Sequence, residues 1–83
     1  MGYRLVFTAR AVKDIESLEP SVKKRIGEKL KEYAEDPFSH ARKLSDRRLG
    51  TFRFRIGDYR VIFDIDGDTI VVLRVGHRRK IYR

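Results

Sequence analysis

The fifteen residues TFRFRIGDYRVIFDI, positions 51–65, constrain the fold more than any other part of the chain. Thr51 to Ile56 alternates strictly, Gly57-Asp58 interrupts, and Tyr59 to Ile65 alternates again. A two-residue turn of this composition between alternating runs is a strong β-hairpin signal. It predicts the cross-strand pairs Ile56/Tyr59, Arg55/Arg60, Phe54/Val61, Arg53/Ile62 and Phe52/Phe63. Successive side chains of a strand point to opposite faces, so this register collects the large apolar pairs on one face and the arginines on the other.

Ile70 to Val75 supplies a third strand. Matching Tyr59, Val61 and Phe63 to Val71, Leu73 and Val75 requires an odd loop of three or five residues around Asp66-Gly67-Asp68, with Gly67 taking the left-handed position. The expected product is a three-stranded antiparallel meander that buries Phe52, Phe54, Val61, Phe63, Val71 and Leu73. Its other face carries Arg53, Arg55, Arg60, Arg74 and Arg78, with Asp64 as the one acid among them.

Upstream of residue 51 the period is helical. Tyr3 to Phe7 reads as a short strand, and Thr8 is a suitable N-cap for a helix with Ala11, Val12, Ile15 and Leu18 on one side. Pro20 fits the first turn of a second helix with an apolar stripe of Val22, Ile26, Leu30 and Tyr33. Asp36-Pro37 ends it, since a residue before proline is pushed out of the α region. The fold class is therefore α+β: a short N-terminal strand, a two-helix hairpin, and a meander packed on the helices.

With 83 residues there is room for one domain, 1–83, with a modest core. A chain this short buries only about 60% of its unfolded surface. There is no cysteine and there are two histidines, His40 and His77, so a thiolate or histidine-rich metal site is not expected. Asp64, Asp66 and Asp68 are better explained by the hairpin turn than by metal binding, and no cofactor is implied. No segment approaches the roughly 20 apolar residues of a membrane span, nor does the N-terminus read as a signal peptide. The expected location is the cytoplasm. The absence of Asn and Gln in a chain that is 39% charged follows the composition trend of thermophiles.

Charge points to a partner. The net charge is +8, and it is unevenly placed. Residues 1–36 carry eight Lys/Arg against seven Asp/Glu, while residues 37–83 carry twelve against five. Most of the cations in the second half are arginines, whose planar fork suits bidentate phosphate contacts. Like charges directly opposite on a sheet repel, so an arginine-rich face implies a polyanion, with nucleic acid first.

The last nine residues, VGHRRKIYR, extend the site. Metal-free RNA cleavage needs a proton removed from the 2′-hydroxyl, charge stabilised at the phosphate, and a proton delivered to the departing 5′-oxygen. Cations aimed at the phosphate serve the second need. Arginine is a poor proton carrier, so the titratable candidates at this basic end are His77 and Tyr82.

The stretches GDYRVIF (57–63) and VGHRRKIY (75–82), after a short strand and two helices, resemble the RelE/ParE superfamily of toxin–antitoxin toxins, and RelE in particular. The resemblance runs over essentially the whole chain. It implies a ribosome-dependent, metal-independent endoribonuclease that cuts mRNA in the A site and is silenced by a cognate RelB-like antitoxin. By the same resemblance Arg60 and Arg78 are phosphate-contacting arginines of the catalytic set and Tyr82 is the proposed base, with His77 as a competing participant. Arg53, Arg55, Arg74, Arg79 and Lys80 are candidate RNA contacts, the first two standing where relatives carry lysines. Two alternatives are a ParE-type gyrase inhibitor, which shares the scaffold without the catalytic set, and a nucleic-acid-binding module without chemistry.

Overall fold

The structure is a computed structural model that describes residues 2–82. Strand β1 (Arg4–Phe7) leads into helix α1 (Ala9–Glu16) and helix α2 (Pro20–Tyr33). A 3-10 turn (Pro37–Ser39) and a two-residue strand β2 (Arg42–Lys43) follow, then β3 (Phe52–Ile56), β4 (Tyr59–Asp66) and β5 (Thr69–His77). The sheet has five strands in the order β1-β5-β4-β3-β2. It is antiparallel except where β1 lies parallel to β5.

The helices start as their residues dictate. The Thr8 hydroxyl accepts from the Ala11 N–H at 3.1 Å and donates to the Leu73 carbonyl at 3.0 Å, so one side chain caps α1 and ties it to β5. Pro20 opens α2, where its missing N–H leaves no intrahelical bond unmade. Ala11, Ile26, Leu30 and Ala34 pack on one face of the sheet against Phe54, Ile56, Val61, Phe63, Ile70, Val72 and Val75. At the centre Phe54 and Phe63 stack with centroids 4.1 Å apart, and Tyr33 reaches Phe54 at 5.1 Å.

The first hairpin has the register expected from residues 51–65, from Ile56↔Tyr59 through Phe52↔Phe63. Gly57 takes φ +59 at its turn, a conformation that favours glycine, and the flexible end of the Arg25 side chain of α2 lies over it.

The second hairpin corrects the expectation. Its loop is two residues, Gly67-Asp68, closed by Asp66↔Thr69. An even loop shifts the phase of β5 by one, so Ile70 and Val72 occupy the core while Val71 and Leu73 are only partly buried. A β-bulge then restores the phase: Phe63 pairs with Val72 and Ile62 with Arg74, which leaves Leu73 as the extra residue. Beyond it Val61↔Val75 and Tyr59↔His77 lie on the helix side. The sheet also exceeds the expected meander at both edges. β1 joins by a parallel pairing, and β2 contributes the pairs Arg42↔Arg53 and Lys43↔Phe52. No helix among the described residues is long and apolar enough to cross a membrane.

Candidate functional site

On the face away from the helices, residues 44–51 fold back over the sheet. The Thr51 N–H donates to the Asp64 carboxylate at 2.8 Å and the Leu44 N–H to the Thr51 carbonyl at 3.0 Å. Gly50 sits against Ile62 and Leu73 with φ +156, and a Cβ there would come within 2.6 Å of Ile62 Cγ2. Only glycine fits that approach in that conformation. Ile62 is thereby buried on the arginine side of the sheet, and the loop becomes one wall of a cleft.

That cleft, of about 500 Å³, is lined by Arg53, Arg60, Arg78 and Tyr82 with Lys43, Leu44, Ser45, Asp46 and Leu49. Arg60 forms its floor and is 7% exposed. Nη1 of Arg60 donates to the carbonyls of Gly57 and Tyr59, each at 2.9 Å, which fixes the guanidinium without a carboxylate partner. Burial holds the Arg60 pKa below its ordinary value, and the charges of Arg55, Arg53 and Arg78 push the same way against the opposing influence of Tyr82. A buried cation in such surroundings is poised to gain from a bound anion. Arg78 is held by its backbone N–H on the Asp58 carbonyl at 2.8 Å, and its Nε lies 3.7 Å from the Asp58 carboxylate.

Asp46 is the acid of the cleft, but both its oxygens are engaged by Arg48, whose Nε and Nη2 each donate at 3.0 Å. Those bonds, with the Arg48 N–H, hold its pKa below the ordinary carboxylate value. It is a poor base.

The other expected residues fall elsewhere. Arg55 is exposed opposite Arg60 and does not line the cleft. Arg74 leaves the arginine face: its Nε donates to Asp14 Oδ2 of α1 at 2.8 Å, and the Val75 N–H donates to the same oxygen at 3.0 Å. The cause is the free edge of β5 beyond the end of β1, where the Asp14 carboxylate takes both donors. The expectation of five arginines on one face is corrected to four, with Arg74 withdrawn by this ion pair. His77 and Lys80 line a second cleft of about 300 Å³ on the helix side, with Tyr59, Asp14 and Arg74. Arg79 is exposed on the C-terminal turn. Register parity contained the signal for His77, because the alternation that seats Val75 inward also turns His77 inward and Arg78 outward. The wall residues Lys43 to Leu49 carried no such signal, since they act through a loop whose path depends on Gly50 and Asp64. Among the described residues no group of three His, Cys, Asp or Glu side chains could hold a metal ion.

Comparison with known proteins bears on the family and the fold. The family described as ParE toxin of type II toxin-antitoxin system, parDE, matches residues 5–82. Toxin RelG of Mycobacterium tuberculosis is 35% identical over 86 residues, covering 100% of this chain and 99% of that protein. Toxin RelE3 of Methanocaldococcus jannaschii is 30% identical, covering 95% and 94%. Among solved structures, the toxin–antitoxin complex RelBE2 from Mycobacterium tuberculosis matches with a TM-score of 0.84 at 32% identity, covering 94% of this chain and 100% of the matched one. With sequence profile, relatives and fold in agreement, the chain belongs to the RelE/ParE superfamily of type II toxin–antitoxin toxins and is RelE-like.

Proposed function

We propose that the protein is a metal-independent endoribonuclease that cuts mRNA on the ribosome, and that the arginine cleft is where the RNA backbone is cleaved. The observation that carries this reading is the meeting of Arg53, Arg60, Arg78 and Tyr82 in one cleft, with Arg60 buried and lacking a carboxylate partner. In the reaction the 2′-oxygen bonds to phosphorus as the bond to the 5′-oxygen breaks, leaving a cyclic phosphate. Tyr82 Oη takes the proton of the 2′-hydroxyl as it passes its own proton, through water, to the leaving 5′-oxygen. Arg60 and Arg78 face the phosphate, whose charge grows in the transition state. The ribosome enters through the RelE resemblance. The partner that silences the toxin is a RelB-like antitoxin, a reading supported by the solved complexes of similar toxins.

In a ribosome cleavage assay Arg60→Ala and Arg78→Ala should each slow single-turnover cutting about a hundredfold or more, the usual cost of one lost oxyanion donor. Tyr82→Phe should slow cutting while ribosome association survives. Full activity in all three variants would overturn the assignment. The match to the ParE family description favours one second reading, gyrase inhibition, and supercoiling inhibition without cut message would establish it.

A further inference from the structure

We propose that His77 is a positioning residue for the cleft across the sheet: through Nδ1 it caps the C-terminal turn that carries Arg78 and Tyr82, and it takes no part in proton transfer. The inference rests on the reading of that cleft as the RNA-cleaving site.

β5 ends at His77, and the four amides that follow need acceptors. The Arg78 N–H donates to the Asp58 carbonyl at 2.8 Å. The Arg79 N–H donates to His77 Nδ1 at 3.2 Å. The N–H groups of Lys80 and Ile81 both donate to the His77 carbonyl, at 2.9 and 3.0 Å. One residue thus supplies the acceptors for three of the four donors. A side-chain acceptor for the second amide and a carbonyl for the fourth is the pattern of a helix N-cap. The imidazole nitrogen stands where the Oδ1 of an asparagine stands in an Asx turn.

A ring nitrogen that accepts carries no proton, so Nδ1 is committed to the backbone and the ring N–H belongs on Nε2. The ring also packs edge-on to Tyr59 at 5.5 Å, in the helix-side cleft with Asp14, Arg74 and Lys80. The sheet lies between it and the cleft of Arg60 and Tyr82. At the other end of the turn Ile81, 2% exposed, packs over Gly76, close enough that an added Cβ there would stand in ordinary contact 3.5 Å from Ile81 Cβ. Capped at His77 and anchored at Ile81, the turn presents Arg78 and Tyr82 to the opposite face.

The test compares His77→Asn, His77→Gln and His77→Leu with the unaltered protein. Single-turnover cleavage on ribosomes is measured for each, together with amide hydrogen exchange at Arg79 in the free toxin. Asparagine keeps an acceptor in place of Nδ1, glutamine reaches toward the position of Nε2, and leucine offers none. The expected result is cleavage within about twofold of normal for His77→Asn and about five- to tenfold slower for the other two, the scale of a lost cap. Arg79 should exchange faster in the glutamine and leucine variants alone. Cleavage retained by His77→Gln but lost in His77→Asn would overturn the inference in favour of chemistry at Nε2. An unchanged rate in His77→Leu would also overturn it. Should the leucine variant fail to fold, the Asn/Gln contrast decides. If the unaltered protein cuts nothing, the cleavage reading fails, and exchange judges the cap: protection at Arg79 that survives in His77→Asn and is lost in His77→Gln sustains it, and equal exchange in all overturns it.

Discussion

Arg60 is a charge kept where stability alone would not keep one. It is buried beside three other arginines with two backbone carbonyls as hydrogen-bond acceptors. Removing a cation from water costs several kcal/mol even after relaxation, and a lowered pKa means that the folded state disfavours the charged form. An apolar residue of similar length should be tolerated there. Arg60→Met is expected to melt at or above the temperature of the unaltered toxin while losing cleavage, as measured by circular dichroism and the ribosome assay. A fall of more than about 5 °C, which is roughly 1 kcal/mol in a domain of this size, would mean that the carbonyl bonds outweigh the desolvation cost. Arg60, Arg78 and Tyr82 were legible in the sequence because short motifs fix them. Arg74 was not, since its partner Asp14 lies sixty residues away on an element whose docking no local pattern specifies.

At the scale of elements, legibility followed locality. Thr8, Pro20 and the Gly57-Asp58 turn act on their immediate neighbours, and α1, α2 and the first hairpin stand where these signals put them, although Val12 is exposed rather than on the apolar side of α1 and Leu18 lies beyond its end at Glu16. In the second hairpin two departures offset each other: an even loop at Gly67-Asp68 and a bulge at Leu73. Alternation alone cannot separate that pair from one odd loop. The sequence marks β1 as a strand, but its parallel place beside β5 is long-range, and α1 completes the β5 edge beyond it through Asp14. This junction has a pH signature. Partial burial by itself would raise the Asp14 pKa. The Arg74 hydrogen bond, the Val75 N–H and the charges of Arg74 and Arg10 outweigh it and hold the carboxyl below its ordinary value. Its stabilisation is therefore complete above the unfolded carboxyl value of about 3.9 and is lost as pH falls through the lower folded value. Asp14→Asn should lower the urea midpoint at pH 7, and the gap from the unaltered protein should narrow below about pH 4. A gap that stays constant from pH 7 to pH 3 would show that the ion pair does not matter to stability.

Across the whole molecule the two halves divide the work. The helical half is nearly neutral and supplies the apolar cover, and the strand half carries twelve Lys/Arg against five Asp/Glu. The sheet separates the faces, so the core can be packed by Phe54 and Phe63 while Arg53, Arg60 and Arg78 gather on the far side with few acids near. Under the proposed function this surface would bind RNA through counterion release, and the salt dependence of binding would count the phosphates engaged. Three cleft arginines on a single strand correspond to a slope of about −2 in log affinity against log salt, at roughly −0.7 per contact. The Tyr82→Phe variant, in which the proposed function expects impaired cutting, allows the measurement with an intact single-stranded RNA. Adding Arg78→Ala or Arg53→Ala should reduce the slope by about 0.7, one contact each. Adding Lys80→Ala should leave it unchanged, because Lys80 lines the helix-side cleft. A slope that ignores Arg53 and Arg78 but responds to Lys80 would place the RNA on the opposite face of the sheet, and the cleft could then not be where the backbone is cut.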